Sequence, residues 1–139
     1  MNSRGVQTAE RTIAHHSKSF SLASSLLPVG AREEVWVLYH WCRRADDMID
    51  GSEPAMHGRL LDHLRRELDE IYGGAVMVDP ALAAFQSVVL TRRVPRYYAD
   101  ELLAGMEMDS RIAVYRTEEE LLLYAYRVAG TVGLMMCHV

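Results

Sequence analysis

The sequence predicts an all-α protein. No stretch of the 139 residues sustains the apolar–polar alternation of a half-buried strand. Apolar residues instead recur three and four apart, and helix start and stop signals punctuate the chain at short intervals.

The elements follow in order. A helical or mixed segment covers about 6–26 and stops near Pro28-Val29-Gly30. A helix is expected over about 31–50, with Val35, Leu38, Cys42, Ala45 and Ile49 as its apolar stripe and Gly51-Ser52-Glu53-Pro54 as its end. A charged amphipathic helix follows over about 55–72, carried by Leu60, Leu61, Leu64, Leu68 and Ile71 and closed by Gly73-Gly74. Asp79-Pro80 opens a helix of about 80–91, with proline at the first helical position, where its missing N–H costs nothing. Pro95 opens one of about 95–110. Thr117-Glu118-Glu119-Glu120 has the pattern of a capping box, so the last helix starts at about 118. It runs to Val139 with no C-cap glycine, polar tail or charged last turn, which predicts a fragment: residues 1–139 as a single partial domain.

Composition narrows the function. Half of the residues are hydrophobic and 24% are charged, as in ordinary globular proteins, and the net charge of −4 gives no basic footprint for nucleic acid. Fourteen of the 15 basic residues are arginine; Lys18 is the exception. Cys42 and Cys137 form no CxxC pair, and each lies in an apolar helical pattern, so both are expected as buried thiols in a reducing cytoplasm. Residues 1–12 hold no apolar signal core. Arg127 interrupts the apolar run of 121–139, leaving it short of a membrane span, although peripheral membrane contact stays open for a lipid substrate.

The chemistry concentrates in Cys42-Arg43-Arg44-Ala45-Asp46-Asp47-Met48-Ile49-Asp50. Asp46 and Asp50 are four apart and share one helix face, where like charges repel unless a cation lies between them. Two carboxylates without nearby sulfur or imidazole suit a hard cation, and Mg²⁺ typically binds through one or two carboxylates plus substrate phosphates. Arg43, one turn earlier, has the shape for a phosphate. A solvated, salt-bridged face is the competing reading of the same run. Tyr39 extends this polar stripe and is suited to line a wet cavity. His16-Ser17-Lys18-Ser19-Phe20-Ser21 offers groups that bind phosphate oxygens, against the plainer reading of a Ser-rich helix start. The other histidines show no metal-binding spacing. Tyr124, Val128 and Val132, with the small residues Ala129, Gly130 and Gly133, form a helix face with room for a bulky group or for close helix packing.

Four segments together resemble the squalene/phytoene synthase family. They are His16-Ser17-Lys18-Ser19-Phe20-Ser21, then Leu38-Tyr39-His40-Trp41-Cys42-Arg43-Arg44-Ala45-Asp46-Asp47-Met48-Ile49-Asp50-Gly51, then Gly105-Met106-Glu107-Met108-Asp109, then Leu123 through Met136. They occur in family order, and the resemblance covers about residues 11–139. It implies an isoprenoid synthase fold, here truncated to its N-terminal helices. It also implies a prenyltransferase that joins two geranylgeranyl diphosphates head to head to form phytoene with Mg²⁺ or Mn²⁺. A squalene or dehydrosqualene synthase using farnesyl diphosphate is the alternative, with NADPH needed only for squalene. By this resemblance Asp46 and Asp50 match metal ligands, with Asp47 in a less certain role. Arg43, His16, Lys18 and Ser19 match diphosphate contacts, with Ser17 and Ser21 weaker. Tyr39 and Tyr124 match residues near the reacting carbons, and Val128, Val132 and Gly133 match the wall along the isoprenoid chain. Asp109 matches a family signature but reads as a surface or structural carboxylate. The family's second Asp-rich motif is absent, so the 139-residue chain is expected to be inactive alone. The reading from another class is a non-catalytic assembly factor or the product of a degraded gene; retention of Asp46 and Asp50 argues for an enzyme lineage.

Overall fold

The computed structural model describes residues 3–139, and within them every regular element is helical. The helices are α1 (Ser3–His16), α2 (Lys18–Ser24), α3 (Val29–Asp50), α4 (His57–Tyr72), α5 (Pro80–Thr91), α6 (Arg96–Arg111), α7 (Glu118–Ala125) and α8 (Thr131–Met136). A short 3₁₀ turn, Pro54–Met56, precedes α4.

The start signals work as the residues dictate. Asp79 accepts hydrogen bonds from the backbone N–H groups of Ala81 and Leu82, satisfying donors that the first turn of α5 leaves unpaired. Thr117 accepts from Glu120 N at 3.1 Å. Glu120 reaches back to the N–H of Arg116 rather than to that of Thr117, so the capping box closes one residue early. The first predicted segment is two helices: Ser17 has extended backbone and its hydroxyl accepts from Phe20 N, which breaks the run and starts α2.

The central helix is α3, which packs against α1, α4, α5, α6 and α8. It buries Val35, Leu38, Cys42, Ala45 and Ile49, the stripe read from the sequence, together with Val37 and Trp41. Trp41 is 1% exposed and stacks on Phe85 of α5 at 4.8 Å, and a fully buried large apolar side chain contributes about 1.5–3 kcal/mol. Its indole N–H donates to Glu67 Oε1 of α4 at 3.0 Å. Arg44 closes on the same carboxylate with two bonds, 2.7 and 2.8 Å, so α3 and α4 are clamped by a bidentate ion pair on a buried carboxylate. In α4 the stripe Leu61, Leu64, Leu68 and Ile71 is buried, while Leu60 is half-buried.

The C-terminal helix departs from expectation. It is not continuous, because a single wide π turn, Tyr126–Gly130, separates α7 from α8. This turn presses on Gly105 of α6. A Cβ at Gly105 would lie 2.8 Å from Arg127 Cβ and 2.8 Å from Val128 Cγ1, so only glycine admits this approach. Gly130 faces the Tyr126 ring, but Gly133 has nothing within 4 Å of a Cβ, so the packing reason expected at Gly133 is absent. Cys42 is buried as expected; Cys137, expected buried as well, is exposed at the C-cap of α8, one residue past its last turn. No helix among the described residues is long and apolar enough to cross a membrane.

Candidate active-site cavity

A cavity of about 480 Å³ opens between α3, α6 and the π-turn segment. One wall is polar and comes from α3: Tyr39, Arg43, Asp46 and Asp50 at spacings of four, three and four, a stripe that adjoins the buried face, whose Cys42 and Ile49 also reach the cavity. The facing wall is apolar, built from Leu102 and Met106 of α6 with Val128, Ala129 and Val132. Phe20 of α2 closes one side and stacks on Tyr39 at 5.3 Å. The cavity therefore has a charged side and a greasy side, as a ligand with a charged head and a hydrocarbon tail requires.

Charges on the polar wall are coupled. Burial pushes the Asp46 carboxyl above the usual range, and Asp50 adds to the rise, while Arg43 opposes it. Burial works against the Arg43 cation, but Asp47 and Asp46 outweigh it and hold the guanidinium charged. Arg43 bonds Asp47 at 2.9 Å and approaches Asp46 at 3.6 Å. Tyr39 is raised by burial first, with Arg43 opposing and Asp47 and Asp46 adding.

Among the described residues no group of three or more His, Cys, Asp or Glu side chains is arranged to hold a metal ion. Asp46 and Asp50 remain a pair of hard oxygen donors on one wall, with like charges that raise each other's cost. Such a pair fits a hydrated divalent cation that takes its remaining ligands from water and a substrate.

The structure places the other predicted residues unevenly. Tyr124, Val128 and Val132 line the cavity. Gly133 does not; it is exposed on the far side of α8, and Ala129 lies on the wall instead. Asp47 points away from the cavity into a recess of about 340 Å³ that it shares with Thr12, His16 and His40. His16, Lys18 and Ser19 are exposed, and none of His16, Ser17, Lys18, Ser19 and Ser21 lines the main cavity, to which that segment contributes Phe20. Ser17 is the α2 cap, and Ser21 accepts the Ser24 hydroxyl on its carbonyl.

Three polar cavity residues, Asp109, His57 and Ser110, escaped the sequence reading. Asp109, taken as a surface or structural carboxylate, stands near the C-terminal end of α6 and lines the same cavity as Asp46. Its position in Gly105-Met106-Glu107-Met108-Asp109, four after the contact glycine, was the available signal. His57 lines the cavity from the first turn of α4; its Nε2 lies 3.3 Å from the Ser52 carbonyl and its buried Nδ1 has no partner. No pattern in the sequence marks it.

The chain is 42% identical to the phytoene synthase of Pseudescherichia vulneris, over 94% of this chain and 45% of that protein. It is 39% identical to the 15-cis-phytoene synthase of Pantoea ananas, again over 94% of this chain and 45% of the relative. Its fold matches the crystal structure of a dehydrosqualene synthase in complex with ligand, with a TM-score of 0.84 at 34% identity, over 96% of this chain and 46% of that one. The chain thus spans about half the length of the curated relatives it matches. Residues 13–139 match the squalene/phytoene synthase family, and with the isoprenoid synthase fold they share the chain belongs to that family.

Proposed function

We propose that the chain supplies one half of the site of a prenyltransferase that condenses two allylic diphosphates head to head. Two geranylgeranyl diphosphates giving phytoene is the preferred pair. The observation that carries this reading is the two-sided cavity, with Arg43, Asp46 and Asp50 on one wall and Val128, Ala129 and Val132 on the other.

The residues divide the work. Arg43 is placed to receive diphosphate oxygens, and its fixed positive charge favours the departing anion. Asp46 and Asp50 would hold Mg²⁺ or Mn²⁺, which when bound neutralises charge that builds on a leaving diphosphate. Leu102, Met106, Val128 and Val132 would seat the hydrocarbon and keep water from a developing carbocation. The aromatic rings of Tyr39 and Tyr124 would face that cation. The relatives named phytoene synthase favour the longer substrate; farnesyl diphosphate, as in squalene or dehydrosqualene formation, is the second reading, favoured by the matching dehydrosqualene synthase structure.

The test is product formation. The chain is joined to the portion of the Pantoea ananas phytoene synthase beyond the matched region and given either diphosphate with Mg²⁺. Phytoene from geranylgeranyl diphosphate is expected, with loss of about 10²-fold or more in Asp46→Asn and Asp50→Asn. A folded chimera inactive with both substrates would overturn the reading, and activity with farnesyl diphosphate alone would transfer it to the shorter substrate. The 139-residue chain by itself is expected to form no product.

A further inference from the structure

We propose that Asp109 is a positioning residue that accepts a hydrogen bond from the Tyr124 hydroxyl and fixes that ring against the cavity. This rests on the cavity role proposed above for Tyr124.

Three observations converge on the pair. Asp109, at the end of α6, and Tyr124, on α7, line the same cavity, so the carboxylate and the phenol come from two helices to one place. Tyr115, in the loop between these helices, stacks on the Tyr124 ring at 4.9 Å with an interplanar angle of 28°. The Tyr115 hydroxyl is buried without a partner, and its phenol is raised by burial and then by the Asp109 charge, so the carboxylate lies near both rings while Tyr115 makes no bond to it. The charges around Tyr124 agree: burial raises its phenol, and Asp109 raises it further through both its charge and hydrogen bonding, with Tyr115 and Asp46 adding smaller amounts.

The arrangement has a chemical use. A phenol that donates to a carboxylate keeps its proton while its oxygen and ring become more electron-rich. A ring held from behind by Tyr115 and at its hydroxyl by Asp109 cannot turn its face from the cavity. A fixed, electron-rich aromatic face favours a positive charge more than a mobile one does, because no reorganisation is needed when the charge appears. Asp109 acts through Tyr124; it is a single carboxylate on a different helix from Asp46 and Asp50.

The test reads the pair without turnover. The tyrosine ring carbons of the 139-residue chain are labelled with ¹³C and titrated by NMR, with Tyr124→Phe to assign the resonance and circular dichroism to confirm the fold. In Asp109→Asn the Tyr124 midpoint is expected to fall toward the ordinary tyrosine value, with Tyr115 following and the remaining tyrosines unmoved. Asp109→Glu, which keeps the charge one methylene further out, is expected to hold the midpoint between those of wild type and Asn; this variant serves if Asp109→Asn does not fold. An unmoved Tyr124 midpoint in a folded variant overturns the proposal. In the active chimera, Asp109→Asn is expected to lower kcat about tenfold or more with KM little changed, and Asp109→Glu to restore part of it. A Tyr124 that responds to Asp109 while Tyr124→Phe leaves turnover intact refutes instead the cavity role assigned to Tyr124.

Discussion

Removing the Glu67 carboxylate tests the clamp that sets α3 against α4. Glu67 is 7% exposed and takes all three of its bonds from α3: two from Arg44 and one from the Trp41 indole. Glu67→Ala strands Trp41 Nε1 in the core, and an unpaired buried donor costs about 1–3 kcal/mol. It also strands Arg44, and breaking a buried pair costs about 3–5 kcal/mol in total. The Arg44 side chain is 27% exposed and recovers some water, which places the loss toward the lower end. Glu67→Gln keeps one acceptor oxygen, which can serve Trp41 Nε1 and Arg44 Nη1 together, but it loses the charge and the acceptor for Arg44 Nη2, so a loss of about 1–3 kcal/mol, smaller than that of the Ala variant, is expected. Arg44→Ala also leaves a buried charge without its ion-pair partner, but Glu67 keeps the Trp41 N–H bond, so a loss of similar size to Glu67→Ala is expected. Urea unfolding followed by circular dichroism at 222 nm measures all three. At this size each kcal/mol shifts Tm by about 2–4 °C, so a loss of about 3 kcal/mol in Glu67→Ala should lower Tm by about 6–12 °C. A loss for Glu67→Ala within about 0.5 kcal/mol of zero would falsify the clamp, and so would a Gln variant as weak as the Ala one.

Further expectations follow from other sites. Asp46→Asn should not destabilise the metal-free protein at neutral pH: a carboxyl whose folded pKa is raised contributes stability below its unfolded value and loses it as pH rises through the folded one, so neutral Asn removes a cost; a marked drop in Tm would show that the carboxylate is structural. Gly105→Ala gains about 1 kcal/mol of helix propensity but overpacks against the π turn at about 1–3 kcal/mol, giving a net loss of about 0–2 kcal/mol, whereas Gly133→Ala meets open space and should gain about 1 kcal/mol; melting curves that reverse this order contradict the close approach. Burial pushes the Cys42 thiol up to about 12, so iodoacetamide at pH 8 should label Cys137 alone in the native protein and both thiols in urea, counted by mass spectrometry; two adducts on the native chain would refute the buried setting of Cys42.

Much of the architecture was legible in the chain. Caps and prolines at Asp79-Pro80 and Thr117 act through groups a few residues away, so the local sequence contains the whole interaction. The stripe of Val35, Leu38, Cys42, Ala45 and Ile49 and the adjoining stripe of Tyr39, Arg43, Asp46 and Asp50 follow from helical period alone. Ordered motifs sufficed to point to the family. The π turn at Tyr126–Gly130 was not legible, because it depends on Gly105, some twenty residues earlier and on another helix. Asp109 and His57 were placed on the cavity by α6 and α4, whose approach to α3 no local pattern encodes. Arg43 and Arg44 make the division plain. Side by side in the chain they are chemically identical, and helical period turns them about 100° apart. The sequence alone determined that they face different ways. Only the tertiary structure decided that one meets the cavity beside Asp46 while the other is spent on Glu67 in the α3–α4 contact, because a helix's period sets the direction of each side chain and its neighbours set what lies there.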